Sequence, residues 1–263
     1  MANLISERKI LFIVEGENDE PRFIKRLLDV SQEPRPFEIY TYKTNIHILA
    51  QELYNNYPDF DEDSINIQLV LSSIEPDNKK KKKLLEKYND IFLVFDMEPQ
   101  ERHPHFDTVR RMLSYFCDST NQGKLFLNYP MMQSYKDLPH LPYPEFKNTI
   151  VSMDSVNTYK KDVGNRSFCT DLSKYDRNIF YSLAAHHVAK MMYILEGVFR
   201  LPSVNEYLGI NPVQIMDEQI TTIMNKDYVY VLNTSIFILI DFAPRRFFAD
   251  ICDPKNNYKF LNV

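Results

Sequence analysis

Lys9-Ile10-Leu11-Phe12-Ile13-Val14-Glu15-Gly16-Glu17-Asn18-Asp19 and Asp90-Ile91-Phe92-Leu93-Val94-Phe95-Asp96-Met97-Glu98 are the two stretches that decide the fold. Each is an apolar run that stops abruptly at acidic residues. An apolar run this short and without alternation is the pattern of a strand covered on both faces. After the first run, Glu20–Val30 place Phe23, Ile24, Leu27 and Leu28 at helical spacing, which gives a β-then-α opening. In an open α/β sheet the carboxyl ends of the strands line one edge, where ligands bind. Two such ends bring Glu15, Asp19, Asp96 and Glu98 within reach of one another.

Working outward, Phe37–Tyr42 reads as a strand and Ile46–Tyr54 as a helix. Ile65–Leu71 reads as a third strand, Lys79–Tyr88 as one exposed helix, Asp107–Cys117 as a helix and Lys124–Pro130 as a strand closed by proline. Strands alternating with helices predict an α/β fold with a mostly parallel sheet flanked by helices. Character changes after about Leu138, where Pro139, Pro142 and Pro144 form a linker-like stretch. Ile179–Leu195, Val204–Leu208, Val213–Met224 and Tyr228–Ala243 then read as helical. The expected organisation is an α/β domain over residues 1–140 and a mainly helical domain over 141–263. The second would serve dimerisation, partner docking or substrate selection.

Composition narrows the function classes. The 263 residues are 44% hydrophobic and 25% charged, ordinary for a globular protein, and 18 Phe with 17 Tyr supply core volume without Trp. Only 5 Gly, with no GxGxxG and no Walker A pattern, argue against a phosphate-cradling loop, so any ATP would be met through a partner. A net charge of -5 and a pI near 5.7 do not resemble a stand-alone nucleic-acid binder, although bound cations would reverse the sign of a carboxylate cluster. The 3 Cys are scattered without a paired spacing, which fits a reducing cytoplasm. The start, Met1–Arg8, has no apolar signal core, and Tyr228–Phe242, the longest apolar stretch, is too short and too polar for a bilayer. No membrane partner is expected.

The acidic strand ends suit hard divalent cations. Mg²⁺ takes one or two carboxylates together with waters and substrate phosphates. Two ions about 4 Å apart activate a water on one side of a phosphorus and stabilise the leaving oxygen on the other. Glu15, Asp96 and Glu98 are candidate ligands for Mg²⁺ or Mn²⁺. Asp19, one turn into the following helix, is positioned to point back to them, and Gly16 permits a tight turn.

Val14-Glu15-Gly16-Glu17-Asn18-Asp19 resembles the first motif of the TOPRIM domain, shared by topoisomerases, primases and OLD-type nucleases. Phe95-Asp96-Met97-Glu98 resembles its Asp-x-Asp motif, with Glu in the last place. The resemblance covers roughly residues 8–135. It implies a TOPRIM-like, Rossmann-like fold with Glu15 as metal ligand or general acid/base and Asp19, Asp96 and Glu98 as metal ligands. Leu125-Phe126-Leu127-Asn128-Tyr129-Pro130-Met131-Met132-Gln133 resembles a Ser-Tyr-Pro-Met-x-Glu stretch of small TOPRIM proteins in bacterial defence loci. Asn128 replaces the Ser there and Gln133 the Glu, which weakens a second metal site. A lysine often assists in such sites; Lys124 and Lys136 are candidates, and Lys136 joins Glu15, Asp96 and Glu98 in the catalytic set. The resemblance implies a metal-dependent endonuclease acting on DNA or RNA, tRNA included. It further implies an effector of anti-phage defence regulated by an ATPase partner of ABC or SMC type, with a homodimer as one assembly. The competing expectation is a degenerate TOPRIM-like binding module without nuclease activity.

Overall fold

The computed structural model describes residues 8–58 and 65–253, so most of the Met1–Arg8 segment lies outside the described residues. β1 (Ile10–Val14) and β3 (Asp90–Asp96) are buried at every position, as two-sided apolar runs require. In chain order the elements between and after them are α1 (Asp19–Ser31), β2 (Phe37–Thr41), α2 (Ile46–Asn56), α3 (Ile67–Ile74) and α4 (Asn78–Leu84), then α5 (Phe106–Tyr115), β4 (Cys117–Asp118) and β5 (Gly123–Asn128). They build a five-stranded, mostly parallel sheet of order β2-β1-β3-β5-β4. The fold is α/β.

Chain contacts divide the protein into two units. Of the described residues, the first comprises those up to Arg22 and those within Glu33–Asp96 and Glu101–Leu127; the second comprises Phe23–Gln32, Met97–Gln100 and those from Asn128 to Asp253. The changeover at Leu127–Asn128 comes earlier than the boundary expected near residue 140. Two shorter excursions into the second unit have no counterpart in a reading based on composition.

Within the first unit, β1 pairs in parallel with β2 and with β3. Phe12 stacks on Phe92 with ring centroids 5.4 Å apart, and Phe92 meets Phe126 at 6.1 Å. The expected strand at Ile65–Leu71 is instead the start of α3. Asn66, which reads as the polar half of an alternation, accepts the Leu69 amide at 3.1 Å and caps the helix. Ile67, Val70 and Leu71 then share a buried helical face. The basic run is helical as expected but stops at Leu84; Asp77 caps it through the Lys79 amide at 2.7 Å.

The second unit contains β6 (Ile150–Ser152), α6 (Tyr159–Arg166), α7 (Arg177–Glu196), α8 (Val204–Leu208), α9 (Pro212–Lys226), β7 (Tyr228–Tyr230), α10 (Ile238–Asp241) and α11 (Pro244–Cys252). Tyr228–Ala243 is therefore not one helix. Its first residues pair antiparallel with β6. The Gln219 amide group receives the Tyr230 N–H at 2.8 Å and donates to its carbonyl at 3.0 Å, as a neighbouring strand would. On α7, Lys190 is fully buried and donates to the carbonyls of Phe146 (2.9 Å), Lys147 (2.5 Å) and Thr149 (3.0 Å) among the rings of Phe146, Tyr193 and Tyr230. Cys117, Cys169 and Cys252 are free, and among the described residues no helix is long and apolar enough to cross a membrane.

Candidate active site

The first unit joins two of the predicted acids directly. Val14 stands level with Val94 in the β1–β3 ladder, so β3 runs two residues past the end of β1, to Asp96. The Glu15 amide bonds the Val94 carbonyl at 3.3 Å, and the Glu15 carboxylate accepts the Asp96 amide at 3.2 Å. Asp96 is buried and Glu15 half-buried. Asp19 opens α1, where its charge complements the helix dipole. Gly16 does not adopt the left-handed backbone that a tight turn would demand of glycine. A Cβ there would lie 2.5 Å from the Glu20 carboxylate, and Glu20 is itself buried. Glu20 is thus a further acid at this edge, hidden from sequence reading because it falls inside a helical apolar pattern.

An open cleft of about 370 Å³ adjoins Glu15, lined by Gly16, Glu17, Asn18, Lys43, Thr44 and Asn45. Lys43 holds the left-handed φ of 71°, uncommon for a residue with a Cβ, and its amide bonds the Glu15 carbonyl at 3.0 Å. Its ammonium lies 2.6 Å from the Glu17 carboxylate. That pairing lowers the pKa of Glu17 and raises that of Lys43. Across the same edge, Asn45 donates to Glu101 at 3.1 Å. The backbone amides of His103 and Arg102 hold the Glu101 carboxyl below its usual range. The side chains of Arg102 and His103 are exposed.

Glu98 belongs to the second unit. It adopts a φ of 48° and accepts a hydrogen bond from the Gln100 amide nitrogen. The other amide atom, Gln100 Oε1, is buried without a hydrogen-bond partner among the described residues. A buried acceptor with no protein donor is suited to an external one, a water or a cation.

The segment after β5 is held by buried polar groups. Asn128 accepts the Ser235 amide at 3.1 Å and its hydroxyl at 2.8 Å, and donates to Met132 Sδ at 3.4 Å. Asn233 donates to the Met132 carbonyl at 2.9 Å. His187 accepts the Asn233 amide at 3.0 Å, and His186 the Tyr143 amide at 2.9 Å. Burial holds these imidazoles near pKa 3 and 4, so they are neutral acceptors. Asn128 is therefore structural, and Gln133 is buried.

The two candidate lysines now separate. Lys124 is the second residue of β5, paired with Cys117, and a Cβ on its neighbour Gly123 would lie 3.5 Å from Ile91 near the start of β3. That is the end of the sheet opposite the acids. Lys136 follows the carboxyl end of β5, half-exposed, with its ammonium 5.7 Å from the Tyr135 ring.

Comparison with family models, with curated proteins and with solved structures finds no match to this chain. Among the described residues, no three His, Cys, Asp or Glu side chains form a ready-made metal cage. Mg²⁺ does not need one, because it retains waters and substrate oxygens. The hard-oxygen pair Glu15–Asp96 fits that donor chemistry.

Proposed function

We propose that this protein is a Mg²⁺- or Mn²⁺-dependent phosphodiesterase of TOPRIM type that cuts DNA or RNA. The observation that supports the reading is the hydrogen bond from the Asp96 amide to the Glu15 carboxylate, which ties that carboxylate to the backbone at the end of β3. Rigid strand ends are where catalytic groups are held without loss of orientation. Glu15 and Asp96 would hold the ion, and the motif Asp96-Met97-Glu98 assigns Glu98 to the same chemistry, with Asp19 as a further ligand. A bound divalent ion would supply charge to the scissile phosphate and acidity to a water. Glu15 would serve either as ligand or as the acceptor of that water's proton, and Lys136 is the assisting lysine that the resemblance supplies. Regulation by an ATPase partner in a defence role is what the motif resemblance adds to this reading.

The test is incubation of the purified protein with plasmid DNA, total RNA and tRNA in Mg²⁺ or Mn²⁺. Cleavage that Glu15→Gln and Asp96→Asn each reduce at least about a thousandfold is the expected result, a loss of roughly 4 kcal/mol of transition-state stabilisation. Undiminished cleavage by both variants would sink the assigned centre. A second reading, a binding module without hydrolysis, is favoured by Gln133, a buried amide where the resembling motif carries an acid. It would appear as nucleic-acid binding with no cleavage under any of these conditions.

A further inference from the structure

We infer that the cleft beside Glu15 is a subsite for one backbone phosphate of a nucleic-acid strand, read by Lys43, with Glu17 as a built-in counter-ion that the phosphate displaces. The inference rests on the proposed nuclease reading and names the group that positions its substrate.

The cleft and the acid share a wall, since Glu15 and Lys43 both line it and their backbones are bonded to each other. Lys43 is the one cation in that lining. Its side chain is 53% exposed and that of Glu17 57% exposed. An ion pair so open to water contributes about 0 to 1 kcal/mol, so an entering phosphate exchanges for Glu17 at little cost. The backbone at Lys43 is held left-handed although no glycine or asparagine stands there, and such strain persists where the surroundings over-determine it. Here the backbone Lys43–Glu15 hydrogen bond does so, and it keeps Lys43 beside Glu15 in the wall of the cleft. Thr44 and Asn45 add polar groups to the same wall. A phosphodiester is a monoanion with two free oxygens, matched by one ammonium and neutral donors. The preceding strand, β2, carries no acid at its carboxyl end, so repulsion from the ligand-binding acids is confined to the β1 and β3 sides.

Binding is measured by fluorescence anisotropy with a short labelled DNA duplex and an RNA hairpin, in a salt series without divalent ions, so that no cleavage is required. Lys43→Asn removes the charge with a residue that tolerates left-handed backbone. It is expected to weaken binding several-fold at low salt. It should also lower the slope of log affinity against log salt by about 1 for the duplex, one phosphate contact's worth. Lys43→Arg should retain the slope, and Glu17→Gln should tighten binding by freeing the ammonium. Unchanged affinity and slope in Lys43→Asn, or weaker binding in Glu17→Gln, would overturn the inference. So would competition by low-millimolar inorganic phosphate, which would make the cleft a free-anion site. Loss of cleavage in Glu15→Gln beside unaltered binding in Lys43→Asn defeats the subsite alone. A reduced slope in Lys43→Asn with a protein that never cleaves supports the subsite and defeats the nuclease.

Discussion

Raising the pH from 7 to 10 should stabilise this protein, and Lys190→Met should remove most of the gain. Burial pushes the Lys190 ammonium down to about 7 from its ordinary 10.5. In the unfolded chain the same lysine keeps its proton up to about 10.5. Between these values the unfolded state binds more protons than the folded one, so unfolding free energy rises with pH. At about 1.4 kcal/mol per pH unit, the contribution from pH 7 to pH 10 approaches about 4 kcal/mol. Below pH 7 it is absent, because a charged group must then be kept buried. The three carbonyls around Nζ oppose the shift, since an ammonium has a proton for each of them. About 4 kcal/mol is therefore a ceiling. Buried tyrosines such as Tyr129 and Tyr175 are raised above their ordinary value and erode stability only above pH 10. Urea unfolding of wild type and Lys190→Met at both pH values isolates the effect, because the unsatisfied carbonyls left by Met cost the same at each. A difference between the two proteins that stays constant within about 0.5 kcal/mol would show that the carbonyls hold Lys190 as an ammonium throughout, and would refute the argument.

Two further predictions concern the fold around the site. Asn66→Ala should cost about 1 kcal/mol in urea unfolding through loss of the α3 cap, whereas a strand at this place would tolerate the change. Asn128→Ala should cost about 2 to 4 kcal/mol, since it strands the buried Ser235 amide and leaves a small void; a cost below about 0.5 kcal/mol would mean that this network does not hold the segment after β5.

The sheet was legible wherever burial is two-sided. Ile10–Val14 and Ile91–Phe95 have no polar position, and so short an apolar run suits a central strand. The acids that end them were legible for the same reason, because an abrupt change from apolar to charged marks a strand leaving the core. Ile65–Leu71 failed because one asparagine serves equally as the outward half of an alternation and as a helix cap. Tyr228–Tyr230 failed because its strand partner, Ile150–Ser152, is remote in sequence, and the Gln219 side chain that completes its pairing carries no strand signal. Lys43 went unnoticed because its distinction is a backbone angle and a neighbouring cleft, neither of which a residue type announces. Glu20 was masked by the helical pattern around it.

The chain visits the second unit at Phe23–Gln32 and at Met97–Gln100 before it settles there from Asn128. An end-to-end joining of two ready-made genes would leave one crossing, not several. The division falls inside α1, between Arg22 and Phe23, and again between Asp96 and Met97, so neither unit is a continuous stretch of chain. A deletion series from either terminus should therefore lose solubility abruptly rather than release a working half, because each cut removes part of a unit whose other segments lie elsewhere in the chain.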